Sequence, residues 1–367
     1  LLDPGKTPHQ NLRFLAFLAV CLKAVHDHAV ALRWSVSGSN NDLRLGANEA
    51  PPAILSAFVG QQLSEIIERL MKGEAAKDPE TFLLELGVGK LPAVSKDNTD
   101  RNRTSPFAFT GNKFEFRAVG SSQNCAVPMT VLTAAAADAL HDMTERLKHK
   151  LGGLPAHRDQ AVLELLREVF TETAAVRFEG NGYSEEWKLE AKKRGLPNIP
   201  DTPASIASVS DPTRMAFLTE LKIFTPRELE SRLNVALERY LKTVTVETET
   251  VIEMLSTQVI PAGERQLAET SMAAAAIKAA GVAPAGITSR VSALARALAE
   301  VADSVTRLHA LLEAGEKLHD ERKEAVHLAA EVRPALIAAR EAADRLEHLV
   351  DDGAWSLPKY REMLFTK

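Results

Sequence analysis

Cysteine, tyrosine and tryptophan are scarce in this 367-residue chain, which holds two, three and three of them. Two cysteines, Cys21 and Cys125, cannot build a disulfide framework, so stability must come from apolar burial, and both thiols fit a reducing cytoplasm. Long hydrophobic runs are also missing. The longest strongly apolar run, Phe14 to Leu22, falls far short of the ~20 residues a bilayer requires, so neither a membrane span nor a signal peptide is expected. Charge of one sign does not accumulate either. The 44 Lys and Arg face 49 Asp and Glu for a net charge of -5, which gives no electrostatic reason to expect nucleic acid or an acidic membrane as partner. Gly-rich phosphate loops, paired Cys motifs and nucleophile elbows are absent. Any chemistry must therefore come from charged side chains carried on loops.

The residues present are those of an ordinary globular protein, 45% hydrophobic and 25% charged, and long enough for two or three domains. Phe14, Leu15, Leu18, Leu22 and Val25 recur at helical spacing and predict a helix over 8–34. His26 and His28 near its end diverge by their spacing and do not suggest a shared metal. A polar loop, "SGSNNDLRLGANEAPPA", precedes an expected helix over 53–72, and a long irregular stretch over 87–112 feeds an expected strand, "KFEFRAVG". From about Thr130 the pattern is helical. "TPRE" (225–228) has the form of a capping box, and its helix is expected to end at Pro261. Residues 271–287 read as a short helix and a turn. Val291, Leu294, Leu298, Val301, Val305, Leu308 and Leu312 then form a heptad seam. A second amphipathic stretch over 322–350 can fold back on it as a hairpin.

Three segments concentrate unusual charge: Arg44 and Glu49 in "RLGANEAPP", Arg101 and Arg103 in "RNRTSP", and Lys113, Glu115 and Arg117 in "NKFEFR". On a strand the last three share one face, and Phe114 and Phe116 share the other. Two readings stand for that plus-minus-plus row. It is an exposed charge ladder of little energetic weight, or a site in which the carboxylate takes a divalent cation and the cations take anions. Arginine grips phosphate and carboxylate bidentately, and a hard cation needs carboxylate and phosphate oxygens together. If the three segments converge, their side chains suit phosphate and carboxylate ligands with a metal.

"NDLRLGANEAPPA" and "NRTSPFAFTGNKFEFR" resemble segments of glutamine synthetase. "LLDPGKTPHQN" and "GNGYSEEW…AKKRGLPN" resemble its long type III class in particular. The resemblance runs along almost the whole chain and implies the C-terminal half of such an enzyme, an expectation in keeping with a start directly before an apolar helix. The implied fold is α+β and predominantly helical. Residues 1–150 would be the C-terminal part of the catalytic domain, with few antiparallel strands. Residues 151–367 would be a helical domain with an antiparallel hairpin at about 288–350.

By matching position, the resemblance assigns Glu115 to a catalytic Mg²⁺ (or Mn²⁺) and Arg44 and Arg117 to the substrate glutamate. It assigns Arg103 to the transferred phosphoryl group, Lys113 to the ATP phosphates, and Glu49 to deprotonation of ammonium. The implied reaction joins glutamate and ammonia through γ-glutamyl phosphate, in the cytoplasm, with active sites shared between subunits of hexameric rings. Phe107 and Ala108 stand near where shorter members carry a further arginine, and one carboxylate is not a metal site. The piece alone is thus expected to be inactive. The alternative is an inactive homologue that serves as an assembly or regulatory module.

Overall fold

The computed structural model describes residues 1–47, 50–73, 83–84, 94–95, 104–152, 157–283 and 285–364. They form two compact units, Leu1–Leu233 and Asn234–Lys367. The fold is predominantly helical α+β, with a small sheet confined to the first unit.

In the first unit a short 3₁₀ turn, Pro8–Gln10, leads into α1 (Leu12–Asp27) and α2 (Ala29–Ser35). The sequence suggests one helix here, yet the two are bent by 78°. His28 is the reason. Its backbone leaves the helix, and its ring is 2.9 Å from the Asp138 carboxylate and 4.0 Å, centroid to centroid, from Phe217. The loop that follows contains a further short helix, α3 (Ser39–Arg44). The expected helix over 53–72 starts only at Gln61, as α4 (Gln61–Lys72). Its expected first turns are instead strand β1 (Ala57–Phe58), and Glu179 then accepts from the Val59 and Gly60 amides and the Ser64 hydroxyl at the helix start.

The remaining strands are β2 (Leu83–Leu84), β3 (Val94–Ser95), β4 (Phe107–Phe109) and β5 (Phe114–Phe116). β2 and β3 form an antiparallel pair. The order β1-β4-β5 makes a mixed sheet, parallel between β1 and β4 and antiparallel between β4 and β5. Pairing of Phe107 with Phe116 and of Phe109 with Phe114 puts four aromatic rings on one face, with Phe107 and Phe114 stacked at 4.4 Å. Phe14 of α1 meets Phe109 at 5.9 Å and ties the sheet to the helical core.

Helices α5 (Ala126–Leu151) and α6 (Arg158–Glu172) both pack on α1. The two helices on either side of residue 150 thus share one core, and the unit they belong to runs to Leu233. Arg177 extends the sheet by a parallel bridge to Ala57, and Phe178 donates its amide to the Ala57 carbonyl. Three short helices follow: α7 (Glu185–Lys193), α8 (Thr202–Val209) and α9 (Ala216–Glu220).

Helix α10 (Pro226–Met254) opens on the anticipated capping box. Thr225 donates its amide to Glu228 at 2.8 Å, and the Glu228 amide donates back to the Thr225 hydroxyl at 3.3 Å. In the second unit the helical path does not stop at Pro261. A π turn, Leu255–Val259, carries it into α11 (Ile260–Ala279). A proline inside a plain α-helix clashes with the carbonyl four residues back and lacks a donor. Here the Ile260 amide already reaches five residues back, to Leu255, and the wider turn makes room. Helix α12 (Ala285–Glu316) then pairs antiparallel with α13 (Glu321–His327) and α14 (Arg333–Glu347) as the anticipated hairpin. A second π turn, Leu328–Val332, joins those two helices just before Pro334. Leu294, Val301 and Leu308, every seventh residue of α12, are fully buried with Ala339 and Leu346 of α14. A final short helix, α15, spans Tyr360–Leu364.

Candidate active site

The charged row of "NKFEFR" lies along β5 and the two residues flanking it. Glu115 is its centre. One carboxylate oxygen accepts from both Nε and Nη2 of Arg117 at 3.1 Å, and the other stands 3.6 Å from Lys113 Nζ and 3.4 Å from the Thr110 hydroxyl. Side-chain exposure falls from 64% at Lys113 to 39% at Glu115 and 15% at Arg117, so the row runs from solvent inward. Partial burial pushes the Glu115 carboxyl up, but the hydrogen bonds and charge of Arg117, then of Lys113, outweigh it and hold the carboxyl below its ordinary value.

Arg44, at the end of α3, reaches the same place from another direction. Its Nη1 donates to the Asn41 side chain at 3.2 Å and to the Val119 carbonyl at 3.1 Å, and its Nη2 donates to the Arg117 carbonyl at 3.4 Å. Three of the five guanidinium hydrogens are thereby used. Among the described residues, the Nε hydrogen and one on Nη2 have no partner. Asn41 fixes the same turn, donating to the Val36 carbonyl at 2.6 Å and to the Ala118 carbonyl at 2.9 Å. A guanidinium held this firmly, with two donors open, is prepared for a carboxylate or phosphate.

The short helix that carries Arg44 is anchored from below. Asp42 accepts from the Thr202 amide at 2.8 Å and from its hydroxyl at 3.0 Å, which caps α8 beside its own Asp201. Arg33 lies 3.5 Å from Asp42 and donates to the Ile199 carbonyl at 2.9 Å and to the Ser37 hydroxyl at 2.9 Å. Burial drives both partners toward neutrality, raising Asp42 and lowering Arg33, while their mutual attraction and the Thr202 bonds oppose it. No local sequence pattern singled out Asn41, Asp42 or Arg33. Their partners lie 77, 160 and 166 residues away along the chain, beyond any spacing rule.

Of the residues named from sequence, Arg44, Lys113, Glu115 and Arg117 thus form one contiguous group. Glu49, Arg101 and Arg103 lie outside the described residues. A divalent cation is not provided for by this group. Among the described residues no three of His, Cys, Asp and Glu come together as a metal cage, and Glu115 is a single carboxylate already paired with two cations.

Residues 161–278 match the glutamine synthetase C-terminal domain. The whole chain is 37% identical over 373 residues to the type-3 glutamine synthetase of Dictyostelium discoideum. Over its whole length the chain is similar to glutamine synthetases. It is also 38% identical over 377 residues to a glutamine synthetase of Bacteroides fragilis, and 35% identical over 377 residues to one of Butyrivibrio fibrisolvens. Every residue of the chain is covered in each comparison, yet it spans about half the length of these relatives, 50%, 51% and 52% respectively. The matched C-terminal domain includes Arg177, Ile199 and Thr202, which brace β1, α2 and α3 respectively in the first unit.

Proposed function

We propose that the chain works as part of a glutamate–ammonia ligase that makes glutamine at the expense of ATP through γ-glutamyl phosphate. One observation carries this reading: Arg44 is immobilised on the backbone of residues 117–119 with two donors open among the described residues, beside an Arg117 that is itself locked to Glu115. Two fixed arginines suit the carboxylates of glutamate. Lys113, the most exposed of the row, suits nucleotide phosphates at the mouth. Glu115 would contribute one ligand to Mg²⁺ or Mn²⁺, with the remaining ligands supplied from elsewhere in the assembled enzyme. Arg103 at the phosphoryl group and Glu49 at ammonium keep their roles by sequence likeness alone. Fixed cations around a transferring phosphoryl group lower its barrier by stabilising the developing charge.

The enzyme is proposed to act in the cytoplasm, where the free thiols Cys21 and Cys125 remain reduced, and as a homo-oligomer in hexameric rings. Sedimentation of the full-length protein tests the assembly. The single carboxylate of the described site would also suit an inactive homologue with a helical assembly role. Glu115→Ala in the full-length protein separates the two readings. A ligase loses ATP-dependent glutamine formation by orders of magnitude, and a scaffold keeps its assembly and shows no such activity to lose. Absence of glutamine from ATP, glutamate and ammonium with the unmodified full-length protein would sink the ligase reading.

A further inference from the structure

In the loop "EGNGYS" (179–184) nearly every residue has a different task. Glu179 caps α4, Asn181 accepts from the Tyr183 amide, and Ser184 caps α7 by accepting from the Trp187 amide. Phe178 and Trp187, at its two ends, stack at 3.7 Å with planes 18° apart, and the Arg194 guanidinium lies over the indole at 5.4 Å. The loop is therefore stiff. Gly182 is its point of contact with the site. A Cβ there would stand 2.5 Å from the Thr104 carbonyl oxygen, 3.3 Å from that carbonyl carbon and 3.4 Å from Pro52 Cδ.

Thr104 and Pro52 belong to the two arms that present the charged group. From Pro52 one arm runs back through Pro51, whose carbonyl accepts from the Gly46 amide at 2.9 Å, and Ala47 donates to the Arg44 carbonyl at 3.1 Å. From Thr104 the other arm enters β4, where the Pro106 carbonyl accepts from the Arg117 amide at 2.8 Å. We propose that Gly182 is a positioning residue for the ligase reaction: its bare α-carbon lets both arms close on one stiff loop and so sets the distance between Arg44 and the Lys113–Glu115–Arg117 row. A methyl group at 2.5 Å from a backbone oxygen cannot be accommodated by a side-chain rotation, so one arm must move. Displacement of a substrate-holding group by about 1 Å costs about 10²-fold in rate. Lys113 and Glu115 travel together on one strand, whereas Arg44 sits on the other arm. The damage should therefore fall on glutamate more than on nucleotide.

This inference rests on the ligase reading, and the experiment is arranged so that the two fail separately. Steady-state kinetics of glutamine formation are measured on the full-length protein, on Gly182→Ala, on Pro52→Ala and on Gly263→Ala. The last is a steric control in the second unit, where a Cβ would meet Leu346 at 2.9 Å and Leu298 at 3.0 Å. The expected result is a glutamate KM raised about tenfold and a lower kcat in Gly182→Ala, with the ATP KM within about twofold of the parent. Pro52→Ala should shift the glutamate KM in the same direction by less. Gly263→Ala should lower Tm and leave both KM values alone. A folded Gly182→Ala with parental glutamate KM and kcat overturns the proposal, and if that variant does not fold, an unchanged Pro52→Ala does so. Should the parent make no glutamine, the ligase reading fails by itself. Hydrogen exchange on the 367-residue chain then decides the positioning role: faster exchange of the Gly46 and Arg117 amides in Gly182→Ala supports it, and unchanged exchange overturns it.

Discussion

Asp42→Ala would leave the Arg33 guanidinium buried without its counter-charge, since the two side chains are only 5% and 2% exposed. Stranding one member of a buried pair costs about 3–5 kcal/mol, and chemical denaturation of the chain should show a loss of that order. The same substitution removes the Asp42 bonds to Thr202 and loosens the helix carrying Arg44, so the glutamate binding proposed for that arginine should weaken as well. Glu115 behaves oppositely toward pH. Its folded carboxyl titrates below the ordinary 4.5, so it binds fewer protons in the folded chain than in the unfolded one near that pH. Its contribution to stability is thus complete above about pH 4.5 and is lost as pH falls through the lowered folded value. Arg117→Gln removes the main cause of the lowering, and a carbon-detected titration of Glu115 should then move upward. Cys21 is different again: burial pushes its thiol up to about 12, so thiol reagents should find Cys125, which is exposed, well before Cys21.

Elements whose determinants lie within a few residues were legible in the sequence. The capping box at Thr225 and Glu228 is one case, and Thr225→Ala should cost about 1 kcal/mol in a thermal melt. The heptad of α12 is another, because every seventh position of Leu294, Val301 and Leu308 does enter the core. The β5 row is a third, since alternation alone separates its charges from its two phenylalanines. Elements shaped by distant partners were not legible. The break at His28 depends on Asp138 and Phe217, and the strand at Ala57 and Phe58 depends on Phe107 and Ala108. Nothing in "APPAILSAF" reveals those partners. The turn before α13 offers a stability test at this scale. His319 adopts φ of +50°, a conformation that suits glycine, so His319→Gly should leave stability level or raise it by up to about 1 kcal/mol.

At the scale of the whole molecule, residue types announced what the site could do, and hydrogen bonds over long separations decided which of them meet. Arg44 and Arg117 are 73 residues apart, yet one donates to the carbonyl of the other. Pro52 and Thr104, the neighbours of Gly182, lie far from it along the chain and are not legible from its own stretch of sequence. Under the ligase reading proposed above, the 367-residue chain by itself is expected to form no glutamine from ATP, glutamate and ammonium. The two π turns carry a further consequence. Both fall in matching stretches, Leu255 to Ala262 and Leu328 to Ala335, with leucine, valine, proline and alanine at the same places and the leucine, valine and alanine of each buried. Each turn spends one residue more than a plain helix needs, which acts as a phase correction for the stripe beyond it. Deleting one residue from 255–259 would let this stretch wind as a plain α-helix with the stripe beyond it close to its present phase, and would leave Pro261 without the room that the π turn makes for its ring. A chain shortened by that single residue should melt at a lower temperature in its second unit, and Pro261→Ala in the shortened chain should restore most of the loss.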